Sequence, residues 1–192
     1  VRDSCTEAAL KKVGIINVIN TGCPTMWRLT PEFCKKIPKE KAPDVITTVT
    51  DYRRDIENDK AMLEILSQNY RNVYLWLQGR ADEEYLKELG VRENVIIIPR
   101  DLNEYEKRLR YGNADYVGTR LHAGIHALNY GIRSLIVAVD NRALEIAKDT
   151  NLPIIMRGNV KNSLQEMLSA EREMQIRIKT ENINRFKSQF KS

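Results

Sequence analysis

The chain has 192 residues, 42% of them hydrophobic and 30% charged, with a formal net charge of +5. That is material for one good core, or for one domain and part of another, and no apolar run approaches the roughly 20 residues that span a bilayer. Three cysteines (Cys5, Cys23, Cys34) form no CxxC pair, which argues against a disulfide framework or a zinc knuckle and favours a reducing cytoplasm.

In chain order, residues 1–14 read as a loop and then a helix, with Ser4 or Thr6 as cap and Gly14 as stop. Residues 15–19 suit a short strand, and TGCPTMW (residues 21–27) is a turn-rich loop. One strand cannot bury two sheet faces, so residues 1–34 read as the last βα piece of a preceding domain. The Lys- and Pro-rich residues 35–43 read as a linker.

From there the pattern is regular. Strands are expected at 45–49, 73–77, 95–98, 115–117 and 135–139. Helices are expected at 55–69, 82–89, 103–111, 121–130 and 142–150. Strands and helices alternating at this spacing indicate βαβ units and a parallel, doubly wound α/β sheet spanning residues 44–158. Residues 159–192 read as a long C-terminal helix packing back on the fold. Residues 157–192 carry eight Lys or Arg against four Asp or Glu, so +4 of the charge lies there. Solvation of a surface helix accounts for that, with an anionic membrane surface as the alternative; no RNA-binding aromatic signature or DNA-reading motif points to nucleic acid.

The stretch that carries chemistry is DYVGTRLHAGIHALNY (residues 115–130). A short apolar run meets Gly118 and Thr119 and turns into a helix with Leu121, Ile125 and Leu128 on one face. Arg120 and His122 stand where that helix begins, beside backbone N–H groups without intrahelical partners. A helix start with a guanidinium suits a carboxylate or phosphate, and an imidazole beside it can move a proton near neutral pH. In an open parallel sheet, ligands bind beyond the carboxyl ends of the strands. The loops expected there are TDYRR (50–54), QGR (78–80) with Gln78 and Gly79, residues 99–101, GTRLH (118–122), and Asp140, Asn141 and Arg142. The last three could bind ligand hydroxyls or cap the next helix. His122 and His126 have the spacing of a metal pair, but no Glu and no third ligand accompanies them. No dinucleotide fingerprint or P-loop occurs.

VRDSCT (1–6), TGCPTMW (21–27), GTRLHAGIHAL (118–128) and VDNRALEIAKDTNLP (139–153), in that order and spacing, resemble the polysaccharide pyruvyl transferases. The resemblance implies the C-terminal half of a GT-B-like architecture, in which a whole domain precedes the first motif. It also implies transfer of pyruvate from phosphoenolpyruvate to a saccharide hydroxyl pair as a ketal, in bacterial cell-surface polysaccharide synthesis. The donor is then a substrate, no cofactor or metal is required, and the acceptor is a free or lipid-linked saccharide handled at the inner face of the membrane. Arg120 and His122 fall on the family's RLH motif, and Arg2 on the Arg of its upstream motif. Where many members carry a Lys after the fifth strand, this chain has Asp140, Asn141 and Arg142. Two other classes stay open: a nucleotide-sugar-dependent GT-B glycosyltransferase using the same helix start, and a non-catalytic binding domain.

Overall fold

The computed structural model describes residues 1–90 and 92–190. Six short apolar runs form strands: β1 (Asp44–Thr47), β2 (Val73–Trp76), β3 (Val95–Ile98), β4 (Ala114–Gly118), β5 (Ser134–Ala138) and β6 (Ile154–Met156). All pair in parallel, in the order β3-β2-β1-β4-β5-β6. β1, β4 and β5 are buried along their whole length, as expected where helices cover both faces. The doubly wound, Rossmann-like sheet read from the alternating pattern is present.

The helices are α1 (Ser4–Lys12), α2 (Pro31–Cys34), α3 (Ile56–Asn69), α4 (Arg80–Leu89), α5 (Leu102–Arg110), α6 (Leu121–Asn129), α7 (Asn141–Thr150), α8 (Val160–Ser169) and α9 (Thr180–Ser188). Asp55, Asp101 and Asp140 start α3, α5 and α7 by accepting first-turn backbone N–H groups. On one face Met62, Leu66, Leu89, Leu164 and Leu168 pack with Val45, Leu75 and Val117. On the other, Tyr105, Leu109, Ile125, Leu128 and Ile146 pack with Ile46, Tyr116 and Ile136. Cys23, Met26, Leu29, Cys34 and Ile37 join this second core, so the N-terminal residues seal the α5–α6–α7 side. No described helix is long and apolar enough to cross a membrane.

Four readings are corrected. The first helix is capped by Asp3, whose Oδ1 accepts from Thr6 N at 2.7 Å, not by Ser4 or Thr6. Residues 15–19 form no strand. Ile15 and Ile16 are exposed, and this stretch meets the N-terminus, with the Val1 ammonium donating to Ile19 O at 2.8 Å. A sixth strand, β6, was not read from the sequence. The long C-terminal helix is two helices, α8 and α9, joined by an extended crossing at residues 170–179. There Met174 and Ile176 are buried while Glu173, Gln175 and Arg177 are exposed; this period of two fits extended chain, not a helix. Lys191 and Ser192 lie outside the described residues.

The order of strands reverses between β1 and β4, which makes their carboxyl ends the switch point of the sheet. Gly118 ends β4 there, and a Cβ on it would lie 2.6 Å from both the backbone N and the Oγ1 of Thr48. A Cβ on Gly124 would meet Ile136 Cγ1 at 2.6 Å, so α6 rests directly on the sheet. We expect Gly118→Ala to destabilise the fold by at least about 1–3 kcal/mol, since neither strand backbone can yield. An unchanged urea midpoint would show that the β1–β4 approach is looser than these distances.

Candidate functional site

Thr48, at the end of β1, and Gly118, at the end of β4, deliver their chains into a shared network. Thr119 N and Oγ1 both donate to Thr48 O, at 3.0 and 3.1 Å. Arg120 N donates to Thr48 Oγ1 at 3.1 Å, and the Tyr116 hydroxyl donates to Arg120 O at 2.9 Å. Tyr116 is fully buried, and burial pushes its phenol well above the ordinary range. The backbone of Arg120 is therefore held at both its N–H and its carbonyl before its side chain is considered.

Arg120 precedes α6 as its N-cap in extended conformation, and no side chain caps the helix. Its Nε donates to Val49 O at 2.9 Å, and its Nη2 to Asp51 Oδ1 at 2.6 Å and Asp82 Oδ1 at 2.7 Å. Asp82 is buried, and its other oxygen accepts the backbone N–H groups of Gln78 and Gly79, each at 2.8 Å. One carboxylate thus ties the loop after β2 to the guanidinium after β4. Burial raises the Asp51 carboxyl, but the charge and hydrogen bond of Arg120 outweigh it and hold that group below the usual carboxylate range. Arg120 has five N–H donors; three are spent, and Nη1 meets no acceptor among the described residues.

Tyr52 joins this centre to the next loop. Its ring lies 5.2 Å from the Arg120 guanidinium carbon and 5.9 Å from that of Arg142, and its hydroxyl accepts from Arg142 Nη2 at 2.6 Å. Asp140 caps α7 through Arg142 N at 2.9 Å and also binds the Arg142 side chain, which lowers its carboxyl. Of the two readings for this triplet, the capping role is present. Counted together, Arg120 and Arg142 face Asp51, Asp82 and Asp140, so the cluster carries no excess of positive charge.

His122 is exposed on the first turn of α6. Its Nε2 lies 3.6 Å from Cys23 Sγ, which lies 3.0 Å from Thr25 Oγ1. Burial raises the Cys23 thiol, but the bonds from His122 and Thr25 prevail and bring it down to about 7. We expect the ultraviolet thiolate absorbance, taken as the difference between the parent protein and Cys23→Ser, to have its midpoint near pH 7. In His122→Ala the midpoint should rise toward the ordinary value of about 8.5; a parent midpoint already there would dissolve the pair. His126 is half-buried and turns to Glu106, with Nε2 3.2 Å from Oε1. Among the described residues no group of three or more His, Cys, Asp or Glu could hold a metal ion.

The structure therefore brings Arg120, Gln78, Gly79, Gly118 and Thr119 to one seam, with Arg142 linked through Tyr52. Gln78 and His122 line one cleft, of about 250 Å³; Asp140 and Asn141 line another, of about 410 Å³, with Arg53 and Arg157. The two clefts share no residue. Arg2 is exposed and pairs with Asp3 at 3.6 Å, while nearby Ser4 is tied to Asp149 toward the far end of α7. It is not brought into contact with Arg120 or His122. Asp51 and Tyr52 fall in the TDYRR loop expected at the sheet's carboxyl edge, though with no role of their own, whereas Asp82 and Cys23 were not singled out as site residues. A faint signal existed for Asp82, an acid three residues into a helix after a glycine.

A family model described as polysaccharide pyruvyl transferase matches residues 1–141. The match takes in Cys23, Asp51, Asp82, Arg120 and His122 and ends one residue before Arg142. No curated protein matches the chain.

Proposed function

The chain belongs to the polysaccharide pyruvyl transferase family, and on that premise we propose that it transfers pyruvate from phosphoenolpyruvate to two hydroxyls of a saccharide, forming a ketal and releasing phosphate. The observation that carries this reading is the seat of Arg120: a guanidinium locked at the switch point with Nη1 uncommitted, one residue before an uncapped helix. Arg120 Nη1 takes the donor's carboxylate, with Arg142 as the second cation across Tyr52. The first-turn N–H groups of α6 face the phosphate. Because the carboxylates of the cluster offset its cations, affinity rests on directed N–H donors rather than on bulk positive field. Asp140 and Asn141 border this region, and Gln78 and Gly79 position it through Asp82.

His122 moves the proton. One saccharide hydroxyl adds to C2 of the enol as C3 gains a proton and becomes a methyl group. His122 supplies that proton and recovers one from the attacking hydroxyl. Phosphate then leaves C2 with the electrons of the C–O bond. The second hydroxyl adds to the oxocarbenium centre, and its proton leaves with phosphate. Arg120, beside the carboxylate, keeps that cation and anion in register.

Calorimetric titration with phosphoenolpyruvate, beside a UDP-sugar, tests the donor. Binding of phosphoenolpyruvate that disappears in Arg120→Ala supports the proposal. Preference for the UDP-sugar would replace it with glycosyl transfer, and unchanged transfer activity in Arg120→Ala and His122→Ala would place the chemistry away from these two residues.

A further inference from the structure

The turn that carries Cys23 is clamped to α6 at two points. His122 and Asn129 lie two turns apart on that helix and so share a face. Asn129 Nδ2 donates to Thr25 O at 2.7 Å, and His122 Nε2 lies 3.6 Å from Cys23 Sγ. The turn itself is closed by Met26 N, which donates to Cys23 O at 2.9 Å, and Met26 is almost wholly buried. Cys23 is only 6% exposed, yet its sulfur meets two polar side chains, the His122 imidazole and the Thr25 hydroxyl.

These contacts commit one nitrogen of the imidazole. Nε2 is spent on sulfur, whereas Nδ1 meets no partner among the described residues. The charged groups of the neighbouring elements engage one another instead: Arg120 with Asp51 and Asp82, and Glu106 with His126. No Lys, Arg, Asp or Glu lines the cleft beside His122. Burial raises the Cys23 thiol, but the bonds from His122 and Thr25 outweigh it and bring it to about 7. The proton between Sγ and Nε2 can therefore sit on either atom, as a thiol against a neutral ring or a thiolate against an imidazolium. In both arrangements the other ring proton is on Nδ1.

We infer that Cys23 is the positioning residue of His122: it holds the ring by Nε2, makes Nδ1 the nitrogen that moves protons, and keeps a proton on it. Its part in the reaction rests on the pyruvyl-transfer reading; its pairing with His122 does not. As C3 of the enol takes the Nδ1 proton, the proton shared with sulfur settles on Nε2. That leaves a neutral ring beside a thiolate, with Nε2 and Thr25 Oγ1 both donating to the sulfur. When the attacking hydroxyl returns a proton to Nδ1, the shared proton moves back toward sulfur, and the pair ends as it began. Without the thiol, a neutral ring that gave up its Nδ1 proton would be left as an imidazolate, out of reach near neutral pH.

The test joins a contact to a rate. In NMR of isotope-labelled ring nitrogens, the His122 signals should move with the Cys23 step near pH 7 as well as with their own, and in Cys23→Ala the first step should vanish. Where Ala costs the fold at this buried position, Cys23→Ser takes its place in the titration. His122 signals that titrate identically in parent and variant overturn the pairing. Phosphate release from phosphoenolpyruvate is followed with methyl β-glucoside, methyl β-galactoside and methyl β-mannoside as acceptors. Turnover (kcat) should fall about 10²-fold in Cys23→Ala, with KM for phosphoenolpyruvate changed little. Cys23→Ser should be no faster, since a hydroxyl can point at Nε2 but yields no proton at this pH. Nδ1-methylhistidine in place of His122 keeps the sulfur contact, at an exposed position, and should be inactive. A Cys23→Ser protein as fast as the parent, or a methylated one that turns over like it, overturns the assignment. If the parent releases no phosphate with any of the three, the pyruvyl-transfer reading fails separately, and the pairing stands or falls by the NMR titration.

Discussion

Arg120→Ala should lower stability by about 3–5 kcal/mol and abolish phosphoenolpyruvate binding, and Arg120→Lys should restore neither. The guanidinium stands between two carboxylates, and Asp82 is almost wholly buried. Removing the cation strands that charge, although its two backbone donors remain and set the loss toward the lower end. An ammonium cannot replace a planar fork that serves Val49 O, Asp51 and Asp82 while keeping Nη1 outward. Arg120→Ala with Asp82→Asn should recover part of the stability without recovering donor binding, which separates the two roles. The acid limb provides a further check. The Asp51 carboxyl is held below its unfolded value, so its contribution is present above that value and is lost as pH falls through the folded one. Arg120→Ala should therefore flatten the dependence of the urea midpoint on pH below about 4. A variant as steep as the parent would detach Asp51 from Arg120.

His122→Ala should reduce turnover by about 10²–10⁴-fold, the usual range for losing a positioned acid–base group. It should leave the fold intact, because the side chain is exposed and its one polar contact among the described residues is Cys23 Sγ. The loss belongs in kcat, with KM for phosphoenolpyruvate changed little, since the proposed seat of its carboxylate and phosphate is Arg120 and the start of α6. Equal losses in kcat and donor affinity would mean that His122 binds rather than moves protons.

How far the sequence could be read depended on how local each cause is. The Val95–Ile98 strand is visible because β-branched residues crowd a short window, and α3 because its apolar positions recur at helical spacing behind Asp55. β6 escaped because three residues after Pro153 are too few for a periodicity. Residues 170–179 did carry an alternation of two, overlooked because helical stretches flank it. Residues 15–19 look like a strand in composition, yet they meet the N-terminal residue instead of a sheet edge. At the site, Arg120 and His122 were legible because a strand, a glycine and a helix start stand in one unbroken stretch. Asp82 was not, because a first-turn acid has a sufficient local explanation, and its partner lies 38 positions away. Cys23 meets His122 across 99 positions, and nothing in its own neighbourhood announces that meeting.

The seam between β1 and β4 also dictates when the protein becomes competent. Thr48 and Tyr116 are 68 positions apart, and everything from α3 to α5 lies in the loop their contact closes. Non-local pairing of this kind is slow, because the loop-closure entropy is spent before the contacts return it. A partly folded chain in which β1, α3 and β2 have docked lacks the locked guanidinium, since Arg120 has not yet met Asp51 and Asp82. Competence therefore arrives with the closing of the seam, and the amides of Thr119 and Arg120, both donating to Thr48, exchange with solvent only when it reopens.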